Sequence, residues 1–467
     1  MGIQKVVSLL SLSAIFLVNG TPTYAQQKLS LQEALETSMN NFRAIKAKEN
    51  YAKASNAGIT ATKREYLPDL NVSVQNSYGT VNGQTGPLYG YKGYSVSSSG
   101  PALADQNWNS AFGGIYIANV NWDFFAFGRQ KSKEAMSSSQ YQRDMADLNQ
   151  EKFTQQVKVV NAYISLLTAQ RLTRSMKANL DRTVSVQEMI QVRTLNGLNA
   201  GVDSSIANSE VAKAKLSLLD AQNYELAQNN KLGELMGVSA VQYVLDTSFV
   251  SALPKNLLEQ NAAQSQHPTL LFFNSRVQLS RSNELYLHKQ IMPTFTFFGI
   301  AQTRGSGFNS DYGAANLSSY NTGWWDGIHP TRSNYLLGVN VSWGITNLAR
   351  IKSQVTKQHY NTEAMQNELE LAQNQLSNQL TLSQQQIENA MQKYAVVPVQ
   401  LKAASDAFLQ KSTLYENGLA NIVDLSQALY NINRADTDRD VVYAAVWQAL
   451  LFKAAALGDI QVFLSQQ

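Results

Sequence analysis

The 467-residue chain has no cysteine, nine prolines, four histidines and only 15% charged residues. Without thiols it can make no disulfide, no cysteine-ligated metal centre and no thiol nucleophile, and no N-terminal cysteine can carry a lipid. His267, His288, His329 and His359 are scattered, with no pair at metal-ligand or base–nucleophile spacing, and read as solvated or loop residues. Phosphate-cradling glycine loops, a dinucleotide fingerprint and paired carboxylates are all missing, so neither an enzyme nor a cofactor is expected. The 38 Lys+Arg exceed the 34 Asp+Glu by four. So weak an excess suggests neither a nucleic-acid surface nor a polybasic membrane tether. Past residue 25 no run of 18 apolar residues occurs, and no transmembrane helix is expected.

The first 25 residues are set apart. Lys5, the apolar run 6–18 and "TYA" at 23–25 make a secretory signal, with cleavage expected after Ala25.

The mature chain alternates between two periods. Ser30 and Glu33 form a capping box that opens a helix expected over 30–66, stopped by Leu67-Pro68. In a strand near 69–78, Leu70, Val72 and Val74 alternate with Asn71, Ser73 and Gln75. A Gly/Ser/Tyr-rich loop precedes a second strand near 112–123, with Tyr116, Ala118, Val120 and Trp122 on one face. Helices are expected over 127–196, about 105 Å long at 1.5 Å per residue, and over 202–237; residues 238–260 read as irregular.

The pattern then recurs, with helices at 262–291, 346–417 and 421–458 and strands near 294–303 and 334–345. Gly418, Asp424, Trp343, Arg350 and Gly458 each lie 221 positions after Gly197, Asp203, Trp122, Arg129 and Gly237, while Pro293 lies 225 after Pro68. A fixed period is the mark of internal duplication, with repeats at 26–240 and 241–467. Each pair of shorter helices, placed end to end, matches one long helix in length, so each repeat would supply one continuous and one spliced strut. In the last long helix Met365, Leu376 and Ile387 recur every 11 residues, a period that keeps helices nearly straight, and Pro398 is expected to kink or locally break it.

Four strands with an apolar face and a small or polar face match the lipid-out, water-in pattern of an outer-membrane barrel. Four cannot close one, and open edges are not tolerated in lipid, so the chain must oligomerise or its strands are soluble. Trp122 and Trp343, on the apolar side at the helix-proximal ends, favour a membrane-interface girdle. Gly197 and Gly418 fit φ > 0 turns between antiparallel helices. Asp203 and Asp424 fall in first helical turns, where the dipole alone favours a carboxylate; the other reading is a pore-axis ring of Asp424 carboxylates that repel one another and favour cations. Tyr89, Tyr91, Tyr94, Trp324 and Trp325 could rim a mouth or pack their own loops.

Through "LSLQEAL", "YLPDL" (66–70), "WDFFAFGR" (122–129), "NGLNAGVD" and "YENGLANIVD", the chain resembles the TolC-type outer-membrane efflux and export channels over essentially its whole mature length. The resemblance implies a mostly α protein with a small β part: a periplasmic α-barrel of long antiparallel helical hairpins, and four strands per copy in a trimeric 12-stranded transmembrane β-barrel. It implies outer-membrane lipid around that barrel and passive export from an inner-membrane pump, reached through a periplasmic adaptor. The adaptor would dock at the hairpin tips Asn196, Gly197, Leu198, Asn417, Gly418 and Leu419, and Asp203, Tyr415 and Asp424 would form the pore constriction. Gln427 stands where a second acidic ring is common, Ala420 where an arginine is common, and "NLAR" (347–350) lacks the family's glycine before Arg350. A secreted coiled-coil adhesin with a small β head is the runner-up, and a stand-alone uptake porin a third reading, disfavoured by helices of such length.

Overall fold

A computed structural model describes residues 27–83, 100–239, 241–246, 254 and 266–466. The signal segment, Tyr89, Tyr91, Tyr94 and the expected helix start at 262 lie outside the described residues. In chain order the elements are β1 (Gln27–Leu29), α1 (Leu31–Asn41), α2 (Arg43–Arg64), β2 (Asp69–Thr80), β3 (Ser110–Phe125), α3 (Arg129–Leu195), α4 (Gly201–Met236) and β4 (Tyr243–Leu245). They continue as α5 (Pro268–Lys289), β5 (Thr294–Ser306), α6 (Trp324–Ile328), β6 (Arg332–Ser342), α7 (Asn347–Glu416), α8 (Ile422–Leu457) and α9 (Gln461–Leu464).

The chain divides into two compact units. The described residues of Met1–Ala47, Asn149–Pro268 and Asn374–Gln467 form one; Lys48–Leu148 and Thr269–Gln373 form the other. Each unit therefore draws on both halves of the sequence.

The helical unit holds the main core. Leu31, Ala34, Val159, Tyr163, Leu166, Leu232, Trp447, Leu450 and Phe463 pack as one buried cluster. Tyr163 keeps its buried hydroxyl satisfied by donating to Leu29 O (3.0 Å). Segment 238–260, expected to be irregular, instead contains β4, paired in parallel with β1 from Gln27↔Tyr243 to Leu29↔Leu245. Three residues are too short for an alternation to register in the sequence. The terminal turn α9 was likewise not foreseen; its Phe463 is fully buried against Trp447 (ring centroids 5.6 Å). Among the described residues the helix α8 is long and apolar enough to cross a membrane, a feature the sequence reading does not predict. Most of its apolar stretch is buried, with Ala444, Trp447, Leu450, Leu451 and Ala454 in this core.

The capping box forms as expected, Glu33 N donating to Ser30 Oγ (3.2 Å) and Ser30 N to Glu33 Oε2 (3.0 Å). The single helix expected over 30–66 does not. Phe42 is extended (ψ 119°) and divides it into α1 and α2. The cause is a tertiary contact. Gly237, left-handed at φ 70°, ends α4 directly against Asn41, so that a Cβ there would stand 3.1 Å from the Asn41 carbonyl. Ser38 Oγ (2.8 Å) and Gln155 Nε2 (2.7 Å) both donate to Leu235 O and pin the joint. Gly458, at φ 77°, ends α8 against His267 immediately before α5 in the same way. His267 lies 225 positions after Phe42, and Gly458 lies 221 after Gly237. His267 is thus buried, not solvated: its Nε2 sits 3.0 Å from Ala455 O, its ring meets Phe153 edge-on, and burial pushes its pKa down.

The other unit centres on an antiparallel sheet, ordered β2-β3-β5-β6. Polar contacts join its helices, including Ser139–Ser282 and Ser280–Thr362 (both 2.8 Å) and the Lys48–Asp147 ion pair (2.6 Å). The helix α7 runs unbroken through Pro398, the loss of one N–H being tolerated without a break. Of the residues spaced at 11 along it, Leu376 and Ile387 are buried and Met365 is half-buried.

Candidate functional site

Two hairpin tips close the helical unit at one end of its second buried cluster, Val186, Ile190, Ala207, Tyr415, Ile422 and Leu425. Both tips use the same backbone cap. Gly197 (φ 72°) donates to Thr194 O (3.0 Å) and Leu198 N to Arg193 O (2.9 Å); Gly418 (φ 75°) donates to Tyr415 O (3.0 Å) and Leu419 N to Leu414 O (2.8 Å). This paired bonding beyond the last turn needs a left-handed residue, which glycine adopts without strain. Leu198 and Leu419 are exposed, Asn196 and Asn417 flank the glycines, and nothing would obstruct a Cβ at Gly197.

Asp203 and Tyr415 come together here. Tyr415 is 3% exposed, and its hydroxyl donates to Asp203 Oδ2 (3.3 Å) while accepting from Asn199 Nδ2. Asn199 Nδ2 also donates to Asp203 (3.0 Å). Burial first, and the Asp203 charge second, push the phenol pKa up, so it remains a protonated donor throughout the neutral range. Asp424 stands apart from this cluster, paired with Lys411 Nζ at 3.0 Å. The two side chains are 42% and 44% exposed, which makes this a solvent-screened pair. Asn421, not Asp424, caps α8, accepting from Asp424 N (2.8 Å).

Two participants escaped sequence reasoning. Arg193 donates from Nε to Asn199 Oδ1 (3.0 Å) and from Nη1 to Glu416 O, with its guanidinium 5.8 Å from the Tyr415 ring centroid. It ties one tip to the other. Its counterpart at the 221-residue interval is Leu414, so the repeat gave no signal for it. Lys411 lies 13 residues from Asp424 across a turn, a separation that no local pattern reveals. Tyr415→Phe is expected to cost about 1 kcal/mol locally. The check is hydrogen exchange: amides of residues 198–203 should exchange about fivefold faster, with the rest of the chain unchanged.

The sheet presents the second feature. Cross-strand pairing places Leu70, Val72 and Val74 opposite Val120, Ala118 and Tyr116, then Gly299, Ala301 and Thr303, then Leu337, Tyr335 and Ser333. Trp122, Phe297 and Val339 extend the same face. It is apolar and open: Leu70 is 73% and Tyr335 83% exposed. Gly299 lets Leu337 and Val120 close over it, since a Cβ would stand 2.9 and 3.0 Å from them. The opposite face is less purely polar than expected. Asn71, Ser73, Asn119, Asn121, Gln302 and Asn340 share it with Ile115, Ile117, Phe298, Ile300 and Leu336. One reason is local: the Phe298 ring fills the space over Gly338, where a Cβ would stand 2.6 Å away. Among the described residues the outer edges of β2 and β6 pair with no strand.

Each tryptophan ties strand to helix. Trp122 Nε1 donates to Tyr66 O (2.9 Å) and Trp343 Nε1 to Ile291 O (3.1 Å), in both cases two residues before a proline. The entries into the long helices differ. Phe127 (φ 49°) and Gly128 (φ 82°) turn the chain into α3, whereas no residue at the "NLAR" turn into α7 has positive φ. Trp324 and Trp325 lie exposed on α6, which packs on β3 and β5 where Tyr116 Oη donates to Ile328 O (3.0 Å). Among the described residues no cluster of His, Asp or Glu could hold a metal ion.

The chain thus combines an open sheet, bare and apolar on one face, with helices of 67 and 70 residues that end at glycine tips. The same combination occurs in known proteins. The family described as outer membrane efflux protein matches residues 31–238. CusC has the same fold at a TM-score of 0.75, with 12% identity over 95% of this chain and 96% of its own. VceC of Vibrio cholerae gives 0.71, with 16% identity over 92% and 96%, and the outer membrane channel CmeC of Campylobacter jejuni 0.72, with 12% identity over 92% and 85%. No curated protein sequence matches significantly. The fold is that of these outer-membrane channels, and residues 31–238 carry the sequence pattern of the efflux protein family.

Proposed function

We propose that the protein is the export duct of a tripartite efflux or type I secretion system, passively conducting substrate delivered by an inner-membrane pump through a periplasmic adaptor. The observation that carries this reading is the four-stranded sheet, apolar and exposed on one face, with both margins unpaired. Lipid does not tolerate such margins. Three copies joined β6 to β2 satisfy every edge in one 12-stranded barrel, with Trp122 and Trp343 in its periplasmic girdle. The recurrence of caps and joints at intervals of 221 and 225 supports descent from a duplicated half. The exposed tips Asn196, Gly197, Leu198, Asn417, Gly418 and Leu419 are the surface offered to the adaptor. Asp203, Tyr415 and Asp424 constrict the pore, and the contacts of Arg193 and Lys411 hold them in one closed arrangement.

Mass measurement in detergent tests the assembly. A heat-modifiable trimer, recovered from outer membranes only with detergent, is the expected result. A stable monomer with its sheet margins paired internally, or a soluble periplasmic protein, would refute the duct.

A further inference from the structure

The sheet-proximal ends of four helices carry cations with no acidic partner. Lys63 and Arg64 end α2, Lys289 ends α5, and Lys131 and Lys352 lie in the opening turns of α3 and α7. None of the five makes an ion pair among the described residues, while nearby acids are already engaged, Glu65 by Lys133 and Asp123 by Arg129 (3.5 Å). Glu134 accepts from Gln130, which leaves Asp69 as the remaining carboxylate of this junction. Lys63, Arg64, Lys131 and Lys352 are exposed and Lys289 is half-buried.

Helix physics accounts for only part of this. Cations suit the C-terminal turns of α2 and α5, but the dipole disfavours Lys131, the third residue of α3, and gives no support to Lys352, the sixth of α7; neither first turn contains an acidic residue. Lys131 and Lys352 nonetheless stand 221 apart, and Arg64 and Lys289 stand 225 apart, so both halves place charge at the same spots. Those spots adjoin the open apolar face. Arg64 and Lys289 are each two residues from the carbonyl that accepts an indole N–H from Trp122 or Trp343.

We infer that these five side chains form a cationic collar that binds the phosphate groups of anionic phospholipids in the periplasmic leaflet of the outer membrane. The occupant is set by charge complementarity and by continuity: immediately beyond the last apolar residues of a lipid-facing sheet comes the headgroup layer. Long Lys and Arg stems reach that layer with their charges hydrated. The inference rests on the sheet facing lipid, as the duct reading requires.

The test compares the full-length protein with its fivefold variant Lys63→Gln, Arg64→Gln, Lys131→Gln, Lys289→Gln and Lys352→Gln in mixed phosphatidylethanolamine–phosphatidylglycerol nanodiscs, quantifying co-purified lipid. Wild type should enrich phosphatidylglycerol at least about fivefold over the bulk mixture at low salt, the factor expected of one engaged cation. The variant should fall to the bulk ratio. A control removing Lys213, Lys215, Lys231, Lys393 and Lys402 should keep the enrichment. No enrichment in wild type, equal enrichment in the variant, or enrichment persisting at about 0.5 M salt, where such attraction is screened, overturns the collar while leaving the duct standing. If the fivefold variant does not fold, Lys131→Gln with Lys352→Gln should lose part of the enrichment, and full retention overturns the proposal. Failure of wild type to enter nanodiscs at all overturns the duct and the collar together.

Discussion

Gly458→Ala is expected to destabilise the folded protein by about 3 kcal/mol, against about 1 kcal/mol for Gly197→Ala. The two glycines share a left-handed backbone, φ 77° and 72°, so the dihedral cost of adding a Cβ is common to both. Their surroundings differ. At Gly197 a Cβ meets nothing within 4 Å. At Gly458 it would stand 2.7 Å from His267 Cδ2 and 2.9 Å from its Cα, and the second of these is backbone that cannot rotate away. His267 is itself held at Ala455 O. The added methyl must therefore open the joint between the end of α8 and His267. Denaturant midpoints of the two variants in detergent measure the difference, and equal losses would show that the joint is not tightly closed.

Val339→Arg is expected to abolish accumulation in the outer membrane, whereas Asn340→Arg, one residue along the same strand, should be tolerated. Val339 lies on the face shared by Leu337, Phe297 and Trp122; Asn340 lies opposite Thr296 on the other face. An arginine on the lipid face of a barrel costs about 2–4 kcal/mol near the midplane, and a trimer incurs that cost three times. One pleat away the same side chain would meet the water of the proposed lumen. Membrane fractionation, with the heat-modifiable band as readout, separates the outcomes. Equal effects would mean that this alternation does not divide lipid from lumen.

The fold was legible in the sequence wherever a local rule acts alone. Gly197 and Gly418 mark tips because only a left-handed residue closes them, and Leu337, Val339 and Val341 mark a strand because alternation is imposed by the pleat. The break at Phe42 was not legible, since neither proline nor glycine stands there; the end of α4 imposes it from 195 residues away. The buried state of His267 was hidden for the same reason, depending on a glycine 191 positions later. At the tips the repeat exposed Asp203 and Asp424 but not Arg193 or Lys411, whose partners lie across turns or on another hairpin. The phenylalanine and isoleucines on the second sheet face show the limit of reading alternation as polarity.

In the proposed duct, the tryptophan contacts bear on how the barrel would hold its depth. An indole whose N–H is already given to the main chain at Tyr66 or Ile291 has no donor left for an ester carbonyl or a headgroup. Anchoring at Trp122 and Trp343 is then a matter of ring area alone, and phenylalanine would preserve vertical position while severing the latch between wall and shaft. In the proposed duct the aromatic belt would be first a mechanical fastening and only second a flotation line.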